Sequence, residues 1–168
     1  VSVVNPSLKP ALVDRYLIAA EKGNIHPVIV GNKLDLLDES EVEKELYQMF
    51  LAAYEPLGIP ILSISTKENI GLDALKALLK DKATVFSGQS GVGKSSLINA
   101  CYGLNLKTGG MAHKTSKGTH TTSTAELLPL PGGGYCVDTP GIRSFALWRL
   151  KKEDVIHHFH EFAGLGCK

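Results

Sequence analysis

Eight consecutive residues carry the most specific chemistry in the chain: Gly88, Gln89, Ser90, Gly91, Val92, Gly93, Lys94 and Ser95, which fit the pattern G-x-x-x-x-G-K-[ST]. Glycines at these positions let the backbone fold tightly enough to aim several N–H groups at a chain of phosphates. A helix starting at the end of the run adds the positive pole of its dipole. Lys94 supplies a point charge, and the Ser95 hydroxyl is a hard oxygen suited to Mg²⁺. With Ser96 beside it, the whole run is the candidate phosphate-binding site.

Two further motifs fit the same ligand. Asp138-Thr-Pro-Gly141 follows the apolar run Tyr-Cys-Val, which places a carboxylate at the carboxyl end of a strand, where open α/β sheets bind their ligands. Asp138 is expected to hold Mg²⁺ through water, and Gly141, lacking a side chain, to bring its backbone N–H to the γ-phosphate. Asn32-Lys33-Leu34-Asp35 follows another apolar run. A carboxylate at Asp35 can accept hydrogen bonds from guanine N1–H and its exocyclic amine, a donor pair that adenine lacks. Lys33 can lay its stem along the base, and Asn32 can tie this loop to the phosphate loop. Ser65, Thr66 and Lys67, at the end of the run Ile61-Leu-Ser-Ile, are placed to meet the base edge.

The elements that must position these residues read as α/β. Short β-branched runs are expected as strands at 1–4, 28–30, 61–64, 84–86, 124–128 and 135–137. Apolar residues three and four apart predict helices at 8–21, 41–54, 72–79 and 95–101. Residues 105–123 break both periods, and a polar loop of that length in a compact domain is usually functional. At 168 residues the chain can bury a two-sided core, and its 43% hydrophobic and 21% charged content is ordinary for a globular protein. No apolar run approaches the roughly 20 residues needed to span a bilayer, and a cytoplasmic location is expected. Three widely spaced cysteines, Cys101, Cys136 and Cys167, argue against a disulfide framework, with buried apolar roles expected for the first two. The formal charge of +1 gives no bulk attraction to nucleic acid. The start at Val1 has neither an initiator Met nor a signal peptide and reads as a cut edge.

Taken in chain order, the motifs resemble those of translation-factor-like GTPases, but with the base-reading motif ahead of the phosphate loop. That permuted order, with Gly118-Thr-His120-Thr-Thr122-Ser in the polar loop, resembles the ribosome small subunit-dependent GTPase family, the ribosome biogenesis GTPase A proteins. The resemblance implies a three-layer P-loop NTPase fold with a mostly parallel sheet, a circularly permuted G domain over 1–148. It also implies a truncated start of a helical, zinc-binding module at 149–168. GTP or GDP and Mg²⁺ are the expected cofactors, and a small ribosomal subunit with its rRNA the expected partner of a monomer. The function implied is GTP hydrolysis that serves as a switch in late subunit assembly. A P-loop phosphotransferase or ATPase, or a nucleotide-binding module that does not hydrolyse, is the alternative; Asn32 to Asp35 favours the GTPase.

The same resemblance distributes roles along the chain. Switch I falls within 105–123, where Thr122, or else Thr121, would bring a hydroxyl to Mg²⁺ and the γ-phosphate. Small GTPases often carry a water-orienting Gln after D-x-x-G. Ile142 stands there, so His120 is the candidate substitute. Lys107, Lys114 and Lys117, with His113 and His120, make the loop basic enough to meet rRNA. Cys167 resembles the first ligand of a zinc site whose partners lie beyond the end of this chain. Cys167 with two of His157, His158 and His160 lacks a fourth ligand, and those histidines are expected to face solvent or a helix end.

Overall fold

A computed structural model describes residues 1–104, 106, 126–138 and 158–159. Helix α1 (Pro10–Lys22) opens with Pro at its first turn, where the missing N–H costs nothing, and stops at Gly23. Strand β1 (Ile29–Gly31) leads into a 3₁₀ turn, Leu34–Glu39. Helix α2 (Glu41–Tyr54) starts where the Ser40 hydroxyl accepts the Glu43 amide at 3.4 Å, with Glu41 and Glu43 set against the positive end of the helix dipole. A short 3₁₀ turn, Glu55–Leu57, precedes β2 (Ile61–Ser63). Then come α3 (Leu72–Leu79), β3 (Ala83–Val85), α4 (Lys94–Tyr102), β4 (Glu126–Pro129) and β5 (Tyr135–Asp138).

Among the described residues the strands form two sheets: β1 and β2 pair in parallel with Val30 opposite Leu62, and β3, β5 and β4 lie side by side, β3 parallel and β4 antiparallel to β5. The β1–β2 pair is covered from both sides. Ile29 and Ile61 turn toward a cluster of Val13 on α1 and Tyr47, Phe50 and Tyr54 on α2. Val30 and Leu62, one position along, turn toward Leu72, Leu75 and Leu79 on α3 and Leu97 and Cys101 on α4. Two opposite apolar faces on one short strand pair define a three-layer α/β arrangement. A third cluster places Ile98 of α4 against Cys136 of β5. Cys101 and Cys136 are buried thiols, as their spacing suggests.

The strand expected at 1–4 is reduced to a single parallel bridge between Ser2 and Asn32. Val3 donates to the Asn32 carbonyl and Asn32 donates to that of Val1, both at 3.0 Å, after which the chain turns over residues 4–7 and leaves the ladder. The strand expected at 124–128 is found as Glu126–Pro129. The loop at 105–123 lies outside the described residues except for Leu106, which exchanges two 2.8 Å hydrogen bonds with the side chain of Asn99.

Candidate functional site

The loops that follow β1, β2 and β3 are joined by side-chain hydrogen bonds. Between β3 and α4, the phosphate loop holds Gly88, Gly91 and Gly93 at φ of 157°, 82° and 94°. Gly93 is the residue before α4 and is left-handed. The first turn of α4 has neither a side-chain cap nor an acidic residue, so its N–H groups are left to an anion. Lys94 curls back over the loop and donates to the carbonyls of Gly88 at 2.7 Å and Gln89 at 3.0 Å. Burial lowers the pKa of that ammonium, the direction expected of a cation partly stripped of water before its anion arrives. Val92 is buried, Ser90 is exposed, and Ser95 and Ser96 are half-buried in the first turn of α4.

The second loop follows β1. Asn32 is 3% exposed and both ends of its amide are engaged. Its Nδ2 donates to the Val92 carbonyl at 3.0 Å and its Oδ1 accepts from the Lys33 amide at 2.8 Å. The phosphate loop and the base-reading loop are thus joined, as the sequence suggests, by one side chain. A Cβ on Gly93 would fall 2.4 Å from Asn32 Nδ2, so glycine there is required by the approach of the two loops as well as by its φ. Lys33 is left-handed at φ 70°, and its ammonium bonds the Asn5 carbonyl. Asn5 carries no motif of its own, and it reaches the site only because the chain turns away after Ser2.

The third loop follows β2 and is stitched to the second. Leu34 donates to the Ile64 carbonyl at 3.0 Å and Ile64 to that of Gly31 at 2.8 Å. The fully buried Ser65 hydroxyl donates to Asp35 Oδ1 at 2.6 Å and accepts from the Glu68 amide at 3.1 Å. Asp35 is 6% exposed at its side chain, and Lys67, 76% exposed, places its ammonium 3.9 Å from the other carboxylate oxygen. Thr66 is half-buried between Ser65 and Lys67. A buried carboxylate with one oxygen fixed by a hydroxyl and the other facing an exposed cation can accept the paired N–H donors of a base.

The backbone of β5 carries Asp138 to the carboxyl end of the β3–β5–β4 sheet, beside β3, the strand that leads into the glycine-rich loop. The side chain of Asp138 and the residues Thr121, Thr122, His120, Gly141, Ile142 and Cys167 lie outside the described residues, as do Lys107, Lys114, Lys117, His113, His157, His160 and the boundary at 148. His158, expected to face solvent or a helix end, is 18% exposed at its side chain, and its Nδ1 lies 2.8 Å from Glu21 Oε2. Among the described residues no cluster of His, Cys, Asp and Glu could hold a metal, and no helix is long and apolar enough to cross a membrane.

A glycine-rich loop between β3 and α4, tied by Asn32 to the loop after β1, gives the chain the P-loop NTPase fold class, here with the Asn32–Asp35 motif first in the chain. The RsgA GTPase family model matches residues 1–148, and the chain belongs to that family. It is 46% identical over 172 residues to the small ribosomal subunit biogenesis GTPase RsgA of Shewanella oneidensis, a match covering 100% of this chain and 48% of that protein. The RsgA protein of Pseudomonas aeruginosa is 46% identical over 155 residues, covering 92% of this chain and 45% of its own length. The crystal structure of YjeQ from Thermotoga maritima superposes with a TM-score of 0.77 at 35% identity, covering 96% of this chain and 53% of that one. The chain therefore spans about half the length of the curated relatives it matches.

Proposed function

We propose that this chain binds GTP across the three loops and hydrolyses it to GDP and phosphate, acting as a switch in late assembly of the small ribosomal subunit. The observation that carries the reading is the hydrogen bond from Asn32 to Val92, which joins the Asn32–Asp35 loop to the glycine-rich loop. Membership of a GTPase family and the names of the relatives, which are small ribosomal subunit biogenesis proteins, support the same activity and partner.

The residues present fit a nucleotide with Mg²⁺. Gly88, Gln89, Ser90, Gly91, Val92 and Gly93 offer backbone N–H groups, and Lys94, already oriented by two carbonyls, offers a charge to the β- and γ-phosphates. Ser95, Asp138 and Thr122 of switch I would hold Mg²⁺ through hard oxygens, and the metal would offset negative charge on the phosphates. Lys94 would add its ammonium charge, Gly141 would offer an N–H to the γ-phosphate, and His120 would orient the attacking water or take its proton. Asp35 reads the base, Ser65 holds Asp35, and Lys33 and Lys67 flank the base site. Zinc belongs to the longer protein, through Cys167 and ligands that follow it. The basic loop containing Lys107, Lys114 and Lys117 faces rRNA, and the protein works as a cytoplasmic monomer.

The test is single-turnover hydrolysis of GTP and ATP by this chain and by the longer protein, with and without small ribosomal subunits. Unassisted turnover is expected on the order of 10⁻⁴ to 10⁻² per second, with stimulation by the subunit and none for ATP. Equal use of ATP, or turnover indifferent to the subunit, overturns the proposal.

A further inference from the structure

Ser2 stands among the valines of residues 1–4, a polar side chain in an apolar run, and burial obliges such a hydroxyl to find a partner. Ser2 is 2% exposed, yet among the described residues its Oγ has no hydrogen-bond partner. The backbone around it is fixed and leaves the side chain little freedom to escape. Val1 donates to the Val30 carbonyl at 2.8 Å, and Asn32 to that of Val1 and Val3 to that of Asn32, both at 3.0 Å. Ser2 lines a cavity of about 30 Å³, and the same cavity is lined by Ser87, Gly88, Gln89 and Val92 of the phosphate loop and the chain leading into it.

We infer that this cavity holds one ordered water, hydrogen-bonded to Ser2 Oγ and to the phosphate loop, which pins that loop to the first segment of the chain. Size, polarity and charge each select this occupant. A single water needs roughly 10–15 Å³ of such space, so the cavity admits water but not a hydrated ion or a fragment of nucleotide. A buried water also needs about two to four polar partners. The Ser2 hydroxyl can both donate and accept, and the carbonyls of Gly88 and Gln89, each engaged once by Lys94, keep a second lone pair. The Lys94 ammonium on those carbonyls and Lys9 in the lining make the surroundings positive, which disfavours a cation and leaves a neutral molecule. The phosphate loop then has two ties to the segments that precede it, the side chain of Asn32 at Val92 and the water at Ser2.

The experiment compares Ser2→Thr with Ser2→Val in the intact chain, since the two side chains share a shape and differ in the hydroxyl alone. With the water in place, Ser2→Val is expected to melt about 2–4 °C below Ser2→Thr, because the water loses a partner in one and keeps it in the other. Backbone hydrogen exchange over residues 87–92 is expected to be about fivefold or more faster in Ser2→Val than in Ser2→Thr, with α2 unchanged as the control for folding. A dry cavity reverses the sign, because an orphaned hydroxyl is itself a cost: Ser2→Val then melts at or above Ser2→Thr, and the inference falls. Equal exchange over residues 87–92 in the two variants overturns the pinning of the loop. A crystal structure of the unsubstituted chain checks the site directly, and density without a water in hydrogen-bond reach of Ser2 Oγ overturns the inference whatever the variants do.

Discussion

Replacing Gly93 by Ala tests whether the two halves of the site are coupled through Asn32. The substitution has two separable effects. At φ 94° any L-residue is strained, by about 1–2 kcal/mol. Its Cβ would also stand 2.4 Å from Asn32 Nδ2, and Asn32 has no room to yield, since its Oδ1 is fixed by Lys33 and its side chain is buried. The Nδ2 bond to Val92 must then break, leaving a buried donor and carbonyl unpaired at about 1–3 kcal/mol. The sum is about 2–5 kcal/mol, or a fall in Tm of about 5–20 °C for a domain of this size. Gly58 provides the control, with φ 70° and nothing within 4 Å of an added Cβ, so Gly58→Ala carries the strain alone. Urea unfolding of both variants should show Gly93→Ala costing at least about 1 kcal/mol more than Gly58→Ala. In an Asn32→Ala background that excess should vanish, because the atom in the way is gone. Equal costs for Gly93→Ala and Gly58→Ala, or an excess that survives Asn32→Ala, would refute the coupling.

Four other outcomes are expected. Lys94→Ala or Ser95→Ala abolishes measurable GTP hydrolysis in a folded protein, because each removes a group that neutralises or anchors the phosphates; single-turnover assays check it, and normal rates would remove these residues from the site. Asp35→Asn weakens GTP binding and shifts preference toward xanthine nucleotide, since the amide can donate to the extra carbonyl of xanthine; competition binding with the two nucleotides decides it. His120→Ala leaves GTP affinity nearly intact but lowers subunit-stimulated turnover by about 10²-fold or more, with basal turnover changed much less; equal stimulation of wild type and variant would end the catalytic role. Gly31→Ala drives a Cβ to 2.6 Å from the Tyr47 hydroxyl, itself 2.6 Å from Ser63 Oγ, and should cost about 1–3 kcal/mol; Tyr47→Phe should recover part of it, and strict additivity of the two would contradict the packing.

How much of this was legible beforehand depended on whether a residue's partner lay close in sequence. Helices α2 and α3 match their expected limits, because Ser40 and Glu43 mark one start and leucines at helical spacing mark the other. The phosphate loop was readable from its pattern, since its function lies in the backbone of eight adjacent residues. Residues 1–4 read as a strand from β-branched content, yet only Ser2 bridges, because the turn at 4–7 ends the ladder and brings the Asn5 carbonyl to Lys33. The 3₁₀ turn at Leu34–Glu39 has no counterpart among the expected elements; its one buried anchor, Leu37, is too little periodicity to announce a helix. The pairing of His158 with Glu21 has no local signal at all, and a histidine-rich segment without partners in view reads as solvated.

The permuted order of the motifs follows from the kind of bond that holds the site together. Asn32 reaches Val92 across 60 residues, and Ser65 reaches Asp35 across 30, each by a side-chain hydrogen bond made in space. Neither bond depends on which loop comes first along the chain. They require only that the loops after β1, β2 and β3 meet in space, whatever their order along the chain. What permutation does change is the place of the β1–β2 pair, which is complete before the chain makes β3, β4 and β5. Among the described residues the later chain meets that earlier part again through His158, whose Nδ1 lies 2.8 Å from Glu21 Oε2 of α1.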